Sequence, residues 1–196
     1  MTEKEKMLAG KLYHAGDELA KELRRTKCKI HEINNMHPDQ IQPREKAFRE
    51  LFHSIGGNFN IESPFFCDYG ENITIGENFY ANHNCIILDC AKVTIGDNVL
   101  FGPSVSVFTA GHPVDTDLRL KGLEYAFPIT IGNNVWIGGG TIINPGITIG
   151  DGAVIGAGSI VTKDIPPNVI AVGNPCKVLR EINEDDKVRY FKDRTV

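Results

Sequence analysis

The sequence predicts an all-β chain: a parallel β-helix of triangular cross-section, with a helical cap at its N-terminal end. Three observations predict it. Residues 129–166 repeat in sixes, with Ile131, Ile137, Ile143, Ile149, Ile155 and Val161 at the first place of successive hexads and Val135, Thr141, Ile147, Ala153, Ser159 and Ile165 at the fifth. A hexapeptide period marks a solenoid in which stacked coils bury one another. The same spacing occurs upstream, in Ile75, Ala81, Ile87 and again in Ile95, Phe101, Val107. Finally, Gly132, Asn133, Gly150, Asp151, Gly152, Gly156 and Gly158 recur between the aliphatic places, where the chain needs backbone conformations that bulky residues avoid. Each hexad is then one flat side of a prism, and three hexads make one coil.

The elements follow in order. Over residues 5–34, Leu8, Leu12, Ala15, Leu19 and Leu23 recur at threes and fours, which predicts one long amphipathic helix. His37-Pro38-Asp39 ends it. Phe48, Leu51, Phe52 and Ile55 predict a second helix that stops at Gly56-Gly57. Two apolar stripes need a surface to cover, and the open first coil supplies one, so residues 1–57 read as a cap. The prism starts near Phe59 and spans 58–182. From Ile75 to Ile95 is a step of 20, one coil plus a two-residue bulge, and from Ile95 to Ile131 is a step of 36. Residues 111–128, GHPVDTDLRLKGLEYAFP, contain Pro113 and Pro128 and no aliphatic column. They read as a loop thrust out of the prism, and long loops inside a compact domain are usually functional. After Pro166-Pro167 the repeat stops, a last strand and a Gly-Asn-Pro turn follow, and residues 183–196 form a charged surface tail.

Composition narrows the function. The 196 residues suit one domain with appendages. A net charge of −4 argues against a nucleic-acid or anionic-membrane partner. No apolar run approaches the roughly 18 residues of a membrane span. The opening MTEKEKMLAGK is too charged for a signal peptide, so a cytoplasmic protein is expected. The five cysteines include no CxxC pair and read as reduced, mostly buried thiols rather than a disulfide framework or a metal site.

Among six histidines, His112 stands alone at the neck of the loop, in Thr109-Ala110-Gly111-His112-Pro113. The flanking Gly and Pro fix its backbone direction, and an imidazole held there suits general-base work near neutral pH. Position alone also fits an ordinary surface histidine. A catalytic zinc site needs at least three convergent ligands, but only His83 and His112 lie in the coils or the loop, so no metal is expected. No GxGxxG before a helix, P-loop or GxSxG elbow is present. Asn82, His83, Asp68 and Asp89 are polar places in otherwise apolar coils. They are either solvated or, if they line a groove, able to hold sugar hydroxyls.

The segments AGKLYHAGDEL, PFFCDYGENITIGENFYAN, TAGHP, FPITIGNNVWIGGGTIINPGITIGDGAVIGAGSIVTKDIP and GNPCKVLREIN resemble the galactoside and maltose O-acetyltransferases, a branch of the hexapeptide-repeat acyltransferases. The resemblance covers nearly the whole chain. It implies a left-handed β-helix, an exception to the right-handed crossover rule. It also implies a homotrimer with an active site in each groove between neighbouring prisms. Acetyl-CoA would be the donor and a sugar hydroxyl of the maltose, glucose or galactoside type the acceptor, with direct transfer and no metal. His112 would be the general base, and Asn82 would stabilise the oxyanion or position the acceptor. Acceptor contacts would map to Asp17, Asp68 and Asp89, with Cys90 competing for the place of Asp89. Coenzyme contacts would map to Trp136, Gly139, Ala157, Thr162, Lys163, Lys177 and Arg180, whose cations suit phosphates. Two other readings are acetylation of an antibiotic or amino-acid hydroxyl on the same fold, and a non-catalytic trimeric scaffold.

Overall fold

Each turn of the chain lays one short strand on each of three parallel sheets. The computed structural model describes residues 1–196 and contains about six such turns. The first sheet stacks Ser54–Ile55, Ile73–Ile75, Val93–Ile95, Ile129–Ile131 and Thr148–Ile149. The second stacks Phe59–Ile61, Phe79–Ala81, Leu100–Phe101, Trp136–Ile137, Val154–Ile155 and Val169–Val172. The third stacks Phe65–Cys67, Cys85–Leu88, Ser106–Phe108, Ile142–Ile143 and Ile160–Val161.

First-place residues set the register. Ile131 lies opposite Ile149, Ile137 opposite Ile155 and Ile143 opposite Val161. All are buried in one continuous core of 34 residues, and each such aliphatic side chain contributes about 1.5–3 kcal/mol. The fifth-place residues are buried as well. Thr141 and Ser159 are tolerated there because their hydroxyls donate to the Gly156 carbonyl, at 3.3 and 2.6 Å.

The corners work differently from the expectation. Positive φ falls at Asn134, Gly140, Gly146, Gly152 and Gly158, so among the residues expected to need it only Gly152 and Gly158 do. Gly132 and Gly150 are required by proximity instead. A Cβ on Gly132 would lie 2.8 Å from the Asp151 nitrogen, and one on Gly150 would lie 2.5 Å from the Pro167 nitrogen, both backbone atoms of the next coil. Along one edge the amides of Asn58, Asn78, Asn98 and Asn134 bond in a row, at 3.3, 2.9 and 2.9 Å.

The insertion leaves the rungs undisturbed. Ile95 pairs with Ile131, Phe101 with Ile137 and Val107 with Ile143, a common step of 36 in place of the step of 18 that separates Ile131 from Ile149. The extra eighteen residues are the expected loop 111–128.

The leader needs correction. The single helix expected over 5–34 is two helices, α1 (Glu3–Leu8) and α2 (Asp17–Asn34). Gly10 takes φ +67°, which ends a right-handed helix, and Tyr13–His14 is extended as a strand. Leu8 and Leu12 are exposed, whereas Tyr13 is buried. Helix α3 (Ile41–Leu51) also ends early, because Phe52 is extended (φ −82°, ψ 155°) and Ser54–Ile55 already pairs with Ile73–Ile75. The coils therefore begin at Ser54 rather than near Phe59, and Gly56-Gly57 is a prism corner. The cap itself is as expected. Phe48 and Phe52 stack their rings edge-on against Phe65, each at 5.7 Å, with Ile30 and Ile33 beside them in the core. Helix α1 belongs elsewhere: Met7 packs in a second cluster with Tyr13, Leu19, Tyr69, Cys90, Ala91 and Ala126.

The loop carries a short helix, α4 (Thr116–Leu120), and a strand, Leu123–Ala126. At the C-terminal end, Lys177–Glu181 runs antiparallel to Val169–Val172 and covers that edge. The tail is helix α5 (Asp185–Val188) and a hairpin of Arg189–Phe191 with Arg194–Thr195. Cys28 is exposed and the other four thiols are buried. No helix is long and apolar enough to cross a membrane.

Candidate active site

The loop is held to the body by a small antiparallel sheet. Ala110–Gly111 pairs with Tyr125–Ala126, and Tyr13–His14 of the leader pairs with Leu123–Glu124. Between these strands Asp115 caps α4, its carboxylate accepting the Leu118 N–H at 3.0 Å. Gly111 lies flat on Tyr125, where a Cβ would stand 2.7 Å from the phenol oxygen. His112 follows, exposed, and Pro113 behind it is buried.

The His112 Nδ1 lies 3.2 Å from the Leu123 carbonyl oxygen. A carbonyl can only accept, so this contact requires a proton on Nδ1, and in the neutral ring Nε2 then carries the free lone pair. That is the tautomer a general base needs.

Behind the histidine lies a linked polar cluster. The Tyr13 hydroxyl donates to Glu124 Oε2 at 2.8 Å. Burial, more than any neighbouring charge, pushes this phenol well above its ordinary value, so it stays a donor. The Cys90 thiol donates weakly to Asp68 Oδ2 at 3.5 Å, and burial holds it neutral. The same cause raises the Asp68 carboxyl, against the Cys90 hydrogen bond and the Lys27 charge. Asp68 and Lys27 line a cleft of about 710 Å³ with Phe66, Leu88 and His31, between α2 and the third sheet.

Asp89 is fully buried. Its Oδ1 accepts the N–H groups of Asp68 and Tyr69 at 3.0 and 2.8 Å, and its Oδ2 that of Asn72 at 3.3 Å. Burial pushes its carboxyl up to about 6, against those backbone bonds. Its oxygens are thus committed to the turn that carries Asp68. Asp17 opens α2, exposed, on a separate cleft of about 560 Å³ with Glu18, Lys21, Glu22 and Arg25. None of the other expected acceptor residues lines that cleft.

Asn82 follows the strand Phe79–Ala81 at the corner between the second and third sheets. Its Oδ1 accepts the His83 N–H at 2.8 Å, which leaves Nδ2 as a donor. His112 emerges from the corner between the third and first sheets, so one chain does not bring the two together. Gly139 and Ala157 stack at the same corner as Asn82, since a Cβ on neighbouring Gly138 would lie 2.5 Å from the Ala157 nitrogen. Lys177 follows Cys176, whose N–H donates to the Ile160 carbonyl at 2.8 Å, one strand before exposed Thr162 and Lys163.

Trp136 and Arg180 share a cleft of about 680 Å³ between the second sheet and the tail. Arg180 is already paired there with Asp186 through two bonds of 2.7 and 2.6 Å. The guanidinium beside Asp186 holds that carboxyl at about 2. Sequence reasoning did not single out Tyr13, Glu124 or the Leu123 carbonyl. Positions 13 and 124 carry no common spacing, and only the folded loop joins them.

Comparison with known proteins identifies the family. Residues 6–56 match the maltose acetyltransferase hexapeptide capping motif, and residues 128–163 match the bacterial transferase hexapeptide of six repeats. The galactoside O-acetyltransferase of Escherichia coli K12 is 54% identical, over 98% of this chain and 95% of its own length. A galactoside acetyltransferase solved in complex with coenzyme A superposes with a TM-score of 0.97, at 53% identity and coverage of 100% and 98% of the two chains. A maltose O-acetyltransferase from Clostridium difficile 630 gives 0.92, at 56% identity and coverage of 94% and 99%. The hexapeptide coils, the helical cap and likeness along its full length together make this chain a member of the galactoside and maltose O-acetyltransferase family.

Proposed function

We propose that the protein transfers the acetyl group of acetyl-CoA directly to a sugar hydroxyl of the maltose, glucose or galactoside type, as a homotrimer. The observation that carries this reading is the Nδ1 contact of His112 with the Leu123 carbonyl, which leaves Nε2 free to accept. In the proposed reaction Nε2 takes the acceptor hydroxyl's proton as that oxygen attacks the thioester carbonyl. The tetrahedral oxyanion accepts a hydrogen bond from Asn82 Nδ2. The carbon–sulfur bond then breaks, and the imidazolium returns the proton to the departing thiolate, giving coenzyme A and the O-acetyl sugar.

The three faces of the prism support a trimer. The first sheet turns Ser54, Thr74, Thr94, Thr130 and Thr148 outward, a row suited to water. The second turns out Asn60, Tyr80, Leu100, Trp136, Val154 and Ile170, and the third Phe66, Ile86, Ser106, Ile142 and Ile160, each row apolar but for one residue. Two adjacent apolar faces on each copy suit a closed three-membered ring. In such a ring Asn82 of one prism meets the His112 loop of the next. Gly139, Ala157, Thr162, Lys163 and Lys177 edge the same groove, where the coenzyme's arm and phosphates would lie. Trp136 and Arg180 would flank it once Asp186 yields the guanidinium. Asp68 would contact the acceptor, with Asp89 holding its turn; Asp17 lies farther off. A cytoplasmic setting suits the acetyl-CoA donor.

The test is thiol release from acetyl-CoA with glucosides, galactosides, maltose, hydroxylated antibiotics and amino acids as acceptors. We expect sugars to support turnover and His112→Ala to lose about 10²–10⁴-fold of it while still binding acetyl-CoA. Turnover within a few fold of wild type in that variant refutes the base, and no heat with acetyl-CoA in calorimetry on the folded protein refutes the enzyme.

A further inference from the structure

We propose that Tyr13 is a positioning residue for His112, and that the leader strand carrying it is a splint for the catalytic loop rather than part of the solenoid cap. This rests on His112 being the base. The cap proper is α2 and α3, which cover the first coil through Ile30, Ile33, Phe48 and Phe52. The first sixteen residues make no contribution to that core; Met7 and Tyr13 belong to the separate cluster that also holds Ala126 of the loop.

The chain of contacts is short. His112 Nδ1 is oriented by the Leu123 carbonyl. Leu123 pairs with His14, and Glu124 with Tyr13, in the antiparallel ladder. The Tyr13 ring is 1% exposed, so its direction is fixed, and its hydroxyl holds Glu124 at 2.8 Å. The leader is itself tied down. The His14 N–H donates to Glu3 Oε2 at 2.6 Å, and Lys4 bridges Glu22 of α2 and Glu71 of the first coils at 2.8 and 2.6 Å. The carbonyl that orients the imidazole therefore sits on the middle strand of a three-stranded sheet, with the base's own strand on one side and the leader on the other. Without the outer strand, Leu123–Ala126 would be held only by Ala110–Gly111, and a two-stranded ribbon is marginally stable in water.

The experiment compares Tyr13→Phe, Glu124→Ala, the double variant and His112→Ala in the same acetyl-CoA and sugar assay. Tyr13→Phe keeps the ring in its cluster and deletes only the donor. We expect it to lower kcat about tenfold, since small misplacements of a catalytic group cost up to about 10²-fold. KM for acetyl-CoA and the oligomeric state should stay unchanged, and the thermal midpoint should fall by no more than a few degrees, the ordinary cost of one buried hydrogen bond. Glu124→Ala should lose a comparable factor, and the double variant no more than the larger single loss, because one bond is being removed twice. Multiplied losses in the double variant, or full kcat in Tyr13→Phe, overturn the proposal. A dead His112→Ala beside a fully active Tyr13→Phe refutes the splint alone, whereas an active His112→Ala refutes the base on which it rests.

Discussion

Replacing Asp89 with asparagine should stabilise the protein at neutral pH. The carboxyl is fully buried, and burial raises it from the ordinary 3.8 to about 6. At 1.36 kcal/mol per pKa unit, that difference places a penalty of about 3 kcal/mol on the charged form. The sign follows from linkage. The folded state holds this proton more tightly than the unfolded state, so the stability it confers is complete below about 4 and is lost as pH rises through about 6. Asparagine carries no charge to bury. Its oxygen keeps the bonds to the Asp68 and Tyr69 amides, and its NH₂ gives up only the long 3.3 Å contact with Asn72, at a cost of about 1 kcal/mol. The net gain at pH 7.5 is about 1–2 kcal/mol. The assay is urea unfolding of both proteins at one fixed subunit concentration, since the proposed association would contribute to stability, at half-unit steps from pH 5 to 8. Wild type should lose stability across this window relative to Asp89→Asn. Parallel curves, or an Asp89→Asn protein less stable at pH 7.5, refute the reasoning and mean that the three backbone donors outweigh desolvation.

Two further outcomes are expected. Asn82→Ala should reduce kcat by about 10²–10³-fold, the usual cost of a lost oxyanion donor, with acetyl-CoA affinity by calorimetry unaltered. Gly132→Ala sets a methyl 2.8 Å from the Asp151 nitrogen and should cost about 1–3 kcal/mol as overpacking between coils, read as a lower thermal midpoint.

The prism was legible in the sequence because every coil repeats one environment. An inward place in one hexad is the same inward place six residues later, so Ile131, Ile137 and Ile143 announce one another. The insertion was legible by contrast: the step of 36 between Ile95 and Ile131 equals two coils in length, but residues 111–128 carry prolines and no aliphatic column. The leader was not. Leu8, Leu12 and Leu19 happen to fall at helical spacing, yet Gly10 breaks the helix between them and the buried aromatic is Tyr13. Corner glycines were recognised for the wrong reason at Gly132 and Gly150, where the constraint is the neighbouring coil's backbone and not φ. His112 was visible as a singular residue between Gly and Pro. What orients it was not, because the Leu123 carbonyl carries no residue-type signal and the Tyr13–Glu124 bond joins residues 111 apart in sequence.

The coils explain why the proposed base sits in an insertion. Along a strand of this prism, alternate side chains point inward to a packed column or outward to a face, and the corners are claimed by asparagine, glycine and the amides that bond coil to coil. A base placed inward would be a buried, unpaired polar group. Placed outward within a face, it would be one rung's side chain on a flat wall, with nothing to fix its tautomer. An extra eighteen residues between two undisturbed rungs cost little in loop-closure entropy, which grows only logarithmically with length. They bring their own second strand, whose Leu123 carbonyl contacts the His112 ring, at the edge where a neighbouring prism of the proposed trimer would bring Asn82. A loop so inserted has no rung above or below to register it, and the leader strand at Tyr13–His14 fills that role.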